Sequence, residues 1–354
     1  MRPVAPVHTL AQWDRISAAC SREADVTLPV PRMLVPMTET QSPAAPVDPV
    51  FGLVYMVKAG SGTMARQLLN FAIPSGWPVS NAGVKAQNKS VKFAEHGQFY
   101  RSRYRVVLGS ATLSNLHLVG RPEMVITTLR EPVDRAISLF NYNCVCNIEN
   151  KVRSANCTDT FTAYARMEAT TVINTLLRGS GDDTYVEERG RGGLALQALR
   201  CFNRSSPETS TGLENLLLEL LQVQLMAPCV SVLPLHELQH SLSLLNERLR
   251  PYNLSLDEYA PKHNSLYTHR CSEGQRSSGK CQACPKERMA MLLDPGDHAV
   301  RNAIRMQTTS EPVVRVSHRL WDWFNRSHES LLRRRAVPCA SLLSKWSPAG
   351  REET

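Results

Sequence analysis

Residues 1–50 hold no apolar run near the ~20 residues that a membrane-spanning helix needs, and they show no signal peptide. They are rich in proline, alanine and polar residues, and read as a linker or stem. Two alternatives stay open on this point: a start that is truncated, and a protein with no anchor. The chain also lacks G-x-x-x-x-G-K-[ST], the usual triphosphate loop, and this counts against a nucleotide kinase. No zinc-finger spacing, basic zipper or RNP-like aromatic motif occurs, so nucleic acid is set aside as the partner of a net charge of +9. One C-x-x-C, Cys281 to Cys284, has no second copy to complete a four-cysteine zinc site. No internal repeat is evident.

Two short segments carry most of the positive information. Residues 51–57 are nearly all apolar, with β-branched and aromatic side chains, as in a central parallel strand. Lys58, Ala59, Gly60, Ser61, Gly62 and Thr63 follow, and residues 63–72 predict a helix that buries Met64, Leu68, Leu69 and Phe71. A glycine-rich turn opening a helix aims several N–H groups at one point, where the helix dipole favours an anion. Lys58 adds a positive charge, and Ser61 and Thr63 add hydroxyls. The same residues also fit a plain strand–helix connection with a solvated lysine.

Residues 124–129 predict a second apolar strand, and Pro132 suits the first turn of a helix whose stripe is Val133, Ile137 and Phe140. Arg130 then stands at the strand end and Ser138 along the helix. A guanidinium fork grips phosphate through paired hydrogen bonds, and a hydroxyl adds another. The competing reading pairs Arg130 with Glu131 or Asp134.

Taken together, the two segments resemble the cofactor motifs of sulfotransferases that use 3'-phosphoadenosine 5'-phosphosulfate (PAPS). The family's loop is P-K-[TS]-x-[SG]-[TS]-[TS]; here it reads Lys58-Ala59-Gly60-Ser61-Gly62-Thr63, with Val57 where proline is usual. The second motif, L-R-[DE]-P followed by R-x-x-S, is matched by Leu129-Arg130-Glu131-Pro132 and Arg135-Ala136-Ile137-Ser138. The likeness is to the Golgi-type carbohydrate and tyrosylprotein branch. It implies a three-layer, P-loop-like α/β fold with a central parallel sheet flanked by helices, over residues 51–330; residues 331–354 read by composition as a basic tail. It implies PAPS as co-substrate, no metal, and a Golgi or other secretory lumen, against a cytoplasmic alternative. The acceptor would be a hydroxyl of a glycan, or a peptide tyrosine. Lys58 and Ala59 to Met64 would hold the 5'-phosphosulfate, and Arg130 and Ser138 the 3'-phosphate. A nucleotide phosphotransferase and a non-catalytic nucleotide-binding relative are the alternatives.

The general base should lie between the motifs. Residues 92–99 resemble the H-G-H-F type segment of several Golgi enzymes: His96 matches the first histidine, and Gln98 stands where the second is usual. His96 has the intrinsic acidity for proton abstraction near neutral pH, and Glu95 is the alternative. Arg101, Arg103 and Arg105 alternate after it, on one face if extended, as an acidic-acceptor surface or a solvated one.

The 10 cysteines suit an oxidising compartment, with disulfides of unreadable connectivity the expected use. Cys144, Cys146 and Cys157 form one cluster, and Cys271, Cys281 and Cys284 another. Sequons at Asn88, Asn156, Asn203, Asn253 and Asn325 point the same way. Residues 144–165 predict an irregular insertion, 170–177 a short helix, and 212–226 a leucine-rich core helix. Residues 229–233 predict a strand, followed by Glu237 and a helix with Leu238, Leu242, Leu245 and Leu249. Glu237 would orient the active site or stabilise the helix N-terminus. Residues 260–286 read as a loop, 297–305 as the terminal helix, and 313–324 as the completion of the core.

Overall fold

Successive side chains of a strand point to opposite faces, and here each face of one sheet meets its own set of helices. The computed structural model describes residues 6–31, 35–36, 50–56, 59–81, 105–109, 123–141, 161–177, 193–256, 293–334 and 339–340. Five strands form the sheet: β2 (Phe51–Val54), β3 (Val79–Asn81), β4 (Val106–Gly109), β5 (Met124–Leu129) and β6 (Val230–Pro234). Their order is β3-β4-β2-β5-β6, and every pairing is parallel. Strands β2, β5 and β6 are buried along their whole length. This is why they read as continuous apolar runs instead of alternating ones.

Phe51, Leu53, Leu108, Met124 and Ile126 pack on one face against Met64 and Leu68 of α2 (Ser61–Ala72). Leu242 and Leu245 of α7 (Leu238–Leu249) join them there. Val54, Val107, Val125 and Val232 turn to the other face. It is covered by α1 (Pro6–Ala24), α4 (Phe161–Leu177), α5 (Leu194–Arg204), α6 (Pro207–Met226) and α9 (Pro312–Leu332). The protein is therefore α/β, a parallel sheet with helices on both faces.

The ends of the chain depart from expectation. Residues 6–24, expected within a linker, form α1 and place Trp13 and Cys20 in the core. The small apolar side chains Ala19 and Ala24 also bury, and helical spacing outweighs the polar composition of the segment. Cys20 is joined by a disulfide to Cys201 on α5. Residues 297–305 do not end the fold: α8 (His298–Thr308) is followed by α9. Within the expected tail, β7 (Cys339–Ala340) pairs antiparallel with β1 (Val35–Pro36). The helix expected from 170 begins at Phe161, inside the expected insertion.

A buried ionic cluster ties α3 (Pro132–Phe140) to its neighbours. Arg135, 2% exposed, pairs with Glu168 of α4, 3% exposed, and also donates to the Glu168 carbonyl at 3.2 Å. His318 of α9 is buried close by. Burial first, then the Arg305 and Arg135 charges, lowers its pKa to about 4, with Asp322 opposing. The unfolded chain would take a proton on this histidine near 6.5, so in this window the unfolded state binds more protons. The contribution is complete above pH 6.5 and is lost as pH falls toward 4. Urea unfolding at pH 7 and pH 5 should differ by on the order of 2 kcal/mol more in the native protein than in His318→Leu. Equal pH dependence in the two proteins would remove His318 as the cause.

Candidate nucleotide site at the carboxyl edge of the sheet

The strand order creates the site. From β2 the chain leaves through α2 on one face toward β3 and β4, and from β5 it leaves toward β6 through helices on the other face. Adjacent strands whose connections depart to opposite faces leave a crevice at their carboxyl ends, where open parallel sheets bind ligands. The described residues of both sequence motifs lie there. In the register Val54 sits beside Thr127, which brings the β2 exit and Arg130 to the same edge.

Gly60 makes the turn into α2. Its φ of +89° is left-handed, the region glycine occupies freely. A Cβ there would lie 2.5 Å from Leu235 Cδ1, so the exit of β6 packs directly on the turn. The Thr63 N–H bonds to the Gly60 carbonyl at 3.0 Å. The first N–H groups of a helix have no intrahelical acceptor; here they belong to Ser61 and Gly62. A Cβ built on Gly62 meets none of the described residues within 4 Å, so among them this first turn is uncrowded. Among the described residues no side chain caps α2, whose N-cap is Gly60 and whose first turn carries no acidic residue. Backbone donors and a positive dipole end thus face the crevice, an anion-binding arrangement.

The Ser61 hydroxyl, expected as a ligand donor, has another use. It is 5% exposed, accepts from the Met56 N–H at 2.8 Å, and lies 2.9 Å from the Met56 carbonyl and 3.1 Å from Thr128 Oγ1. Thr127 Oγ1 donates to the Val54 carbonyl at 3.2 Å. The loop of one motif is thereby bonded to the strand of the other, and Ser61 can offer a ligand its backbone N–H. These threonine contacts were not foreseen; the signal was a Thr-Thr pair in an otherwise apolar strand.

Arg130 follows β5 directly and is half-buried, as is Ser138 on α3. Glu131 caps α3 by accepting from the Asp134 N–H at 2.7 Å, and its pKa is raised, chiefly by burial. Arg301 of α8 pairs with Asp134 at 3.1 Å and approaches Glu131 at 3.6 Å. These carboxylates therefore join α3 to α8. Arg135, within the R-x-x-S match, is buried in its pair with Glu168 and works as an anchor of α3.

Glu237 does not cap α7: no side-chain cap bond forms at that N-terminus. Its carboxylate faces His328 Nε2 at 3.1 Å and His236 Nε2 at 3.4 Å. Arg105 lies over the Trp77 ring, its guanidinium carbon 5.4 Å from the centroid. Lys58, Glu95, His96 and Gln98 lie outside the described residues, as do Arg101 and Arg103. The same holds for the clusters around Cys144 and Cys271, for Asn88 and Asn156, and for the loop at 260–286. Asn203, Asn253 and Asn325 are exposed. Among the described residues no helix is long and apolar enough to cross a membrane. Protein-family models and curated proteins offer no match to this sequence, so the geometry at the carboxyl edge is what bears on its function.

Proposed function

We propose that the protein is a PAPS-dependent sulfotransferase of the P-loop-like type, acting on a glycan hydroxyl in the Golgi lumen. The observation that carries this reading is the meeting of two anion-binding elements at one switch point. The N-terminus of α2 and the Arg130 end of β5 lie on adjacent strands, and the Ser61–Thr128 contact at 3.1 Å locks them together. A nucleotide phosphorylated at both ends of its ribose suits such a pair.

In this reading the N–H groups at the start of α2, with Lys58, hold the 5'-phosphosulfate and stabilise charge growing on the leaving phosphate. Arg130 and Ser138 grip the 3'-phosphate, the group that separates this nucleotide from ATP. His96 or Glu95 takes the acceptor proton. In the transfer the acceptor oxygen bonds to sulfur as the bond from sulfur to the phosphate oxygen breaks. The proton goes to the base, and the 3',5'-bisphosphate leaves. Positioning supplies much of the rate. The disulfide between Cys20 and Cys201 supports an oxidising compartment.

The test is thermal stabilisation by 3'-phosphoadenosine 5'-phosphate, with ATP plus Mg²⁺ as comparison. At a hundredfold its dissociation constant the ligand should add about 2.7 kcal/mol, a clear rise in melting temperature. Arg130→Ala should abolish the rise. A rise with ATP alone would favour a phosphotransferase, and no rise with either nucleotide would refute the nucleotide reading.

A further inference from the structure

Where the exit of β6 meets α9, His236, Glu237, His240, His328 and Glu329 converge. We propose that Glu237, His328 and Glu329 bind a divalent transition ion of the zinc class, clamping the end of β6 to α9. The proposal does not rest on the nucleotide reading.

His328 carries the inference. It is 6% exposed, with Nδ1 at 3.0 Å from the Asn325 carbonyl and Nε2 at 3.1 Å from Glu237 Oε2. Both neighbours only accept. A neutral imidazole has one N–H and one lone pair, so either tautomer would aim a lone pair at an oxygen in these part-buried contacts. Two species remove the conflict: an imidazolium, or a cation at Nε2 with Nδ1–H donating to the carbonyl. The second is the usual hydrogen-bonding pattern of a metal-bound histidine, whose far nitrogen is held by a backbone carbonyl or a carboxylate.

The surroundings favour the cation. One ligand atom each of Glu237, His328 and Glu329 lies within 4.8 Å of the others. An ion about 2.0–2.2 Å from each needs only a modest contraction, and Glu329 is an exposed side chain able to supply it. Glu237 is not used by its helix, since α7 makes no side-chain cap bond. Its Oε1 faces His236 Nε2 at 3.4 Å, and Glu329 Oε1 faces His240 Nε2 at 3.5 Å. An imidazole thus stands beside each carboxylate to complete the coordination. Mixed nitrogen and oxygen donors select a zinc-class ion over calcium or magnesium, which prefer all-oxygen sites.

The experiment is calorimetric titration of the metal-stripped full chain with Zn²⁺, with Mg²⁺ as control, alongside melting curves. Expected are one saturable Zn²⁺ site, a raised melting temperature, and no Mg²⁺ effect. Glu329→Gln, at an exposed position, should weaken Zn²⁺ at least tenfold without altering the metal-free melt. His328→Gln should abolish binding. Absence of saturable binding would overturn the proposal, as would Zn²⁺ binding of native strength in both variants, which would place the ion elsewhere in this cysteine-rich chain. A cluster stabilised by acidification and indifferent to Zn²⁺ would identify the imidazolium instead and equally refute the metal.

Discussion

Glu168→Leu should cost about 3–5 kcal/mol of folding free energy, because it strands the Arg135 guanidinium in the core. Both partners are almost wholly inaccessible, and α3 and α4 meet through them. Water cannot resolvate the orphaned charge without opening that contact. The double variant Arg135→Met with Glu168→Leu should recover most of the loss, since replacing a buried pair by apolar residues of similar volume is often neutral or favourable. Urea unfolding of the native, single and double variants closes the cycle. A single-variant loss below about 1 kcal/mol would mean the pair is not buried as described. Under the proposed nucleotide reading the loss would also reach the site, because α3 carries Ser138 and begins two residues after Arg130.

Removing the cross-link between Cys20 and Cys201 should have a comparable effect. The two residues are separated by 181 positions, and loss of a native disulfide commonly costs about 2–5 kcal/mol, much of it assigned to the freed unfolded chain. Both cysteines are fully buried in the same apolar cluster as Trp13 and Leu213. Cys20→Ala with Cys201→Ala removes the bond without leaving a thiol. Its denaturation midpoint should fall well below that of the native protein, with protease cleavage appearing first in α1. A midpoint within about 1 kcal/mol of native would show that apolar packing alone seats α1.

Much of the sheet was legible because its central strands are buried on both faces. The runs at 51–57, 124–129 and 229–233 predict β2, β5 and β6. The leucines of α6 and α7 repeat at helical spacing and give those helices. The edge partner β3 was not legible, since three residues carry too little pattern to rise above a loop. Helix α1 was hidden by composition: among its described side chains the buried ones are Trp13, Ala19, Cys20 and Ala24, with Ile16 packed against the cluster. The pairing of Cys20 with Cys201 had no local signal at all.

The site divides the same way. Gly60 and the strand ends follow from spacing, and the structure sets the two motifs side by side. The inward turn of Ser61 does not follow, because spacing cannot tell a hydroxyl aimed at a ligand from one that bonds a neighbouring strand. Nor does the burial of Arg135, whose partner Glu168 stands on a different helix.

The seating of α1 governs how this protein can be shortened for expression. Composition invites a cut at residue 50, ahead of the first central strand. Such a cut would remove Trp13, Cys20, Val26 and Leu28 from the larger apolar cluster, and with them β1 from its pairing with β7. Ile16, whose Cδ1 lies 2.7 Å from a Cβ built at Gly212, would leave the surface of α6 bare. The shortened chain would present a greasy face and an unpaired Cys201 thiol, the combination that drives aggregation and mispaired dimers in an oxidising medium.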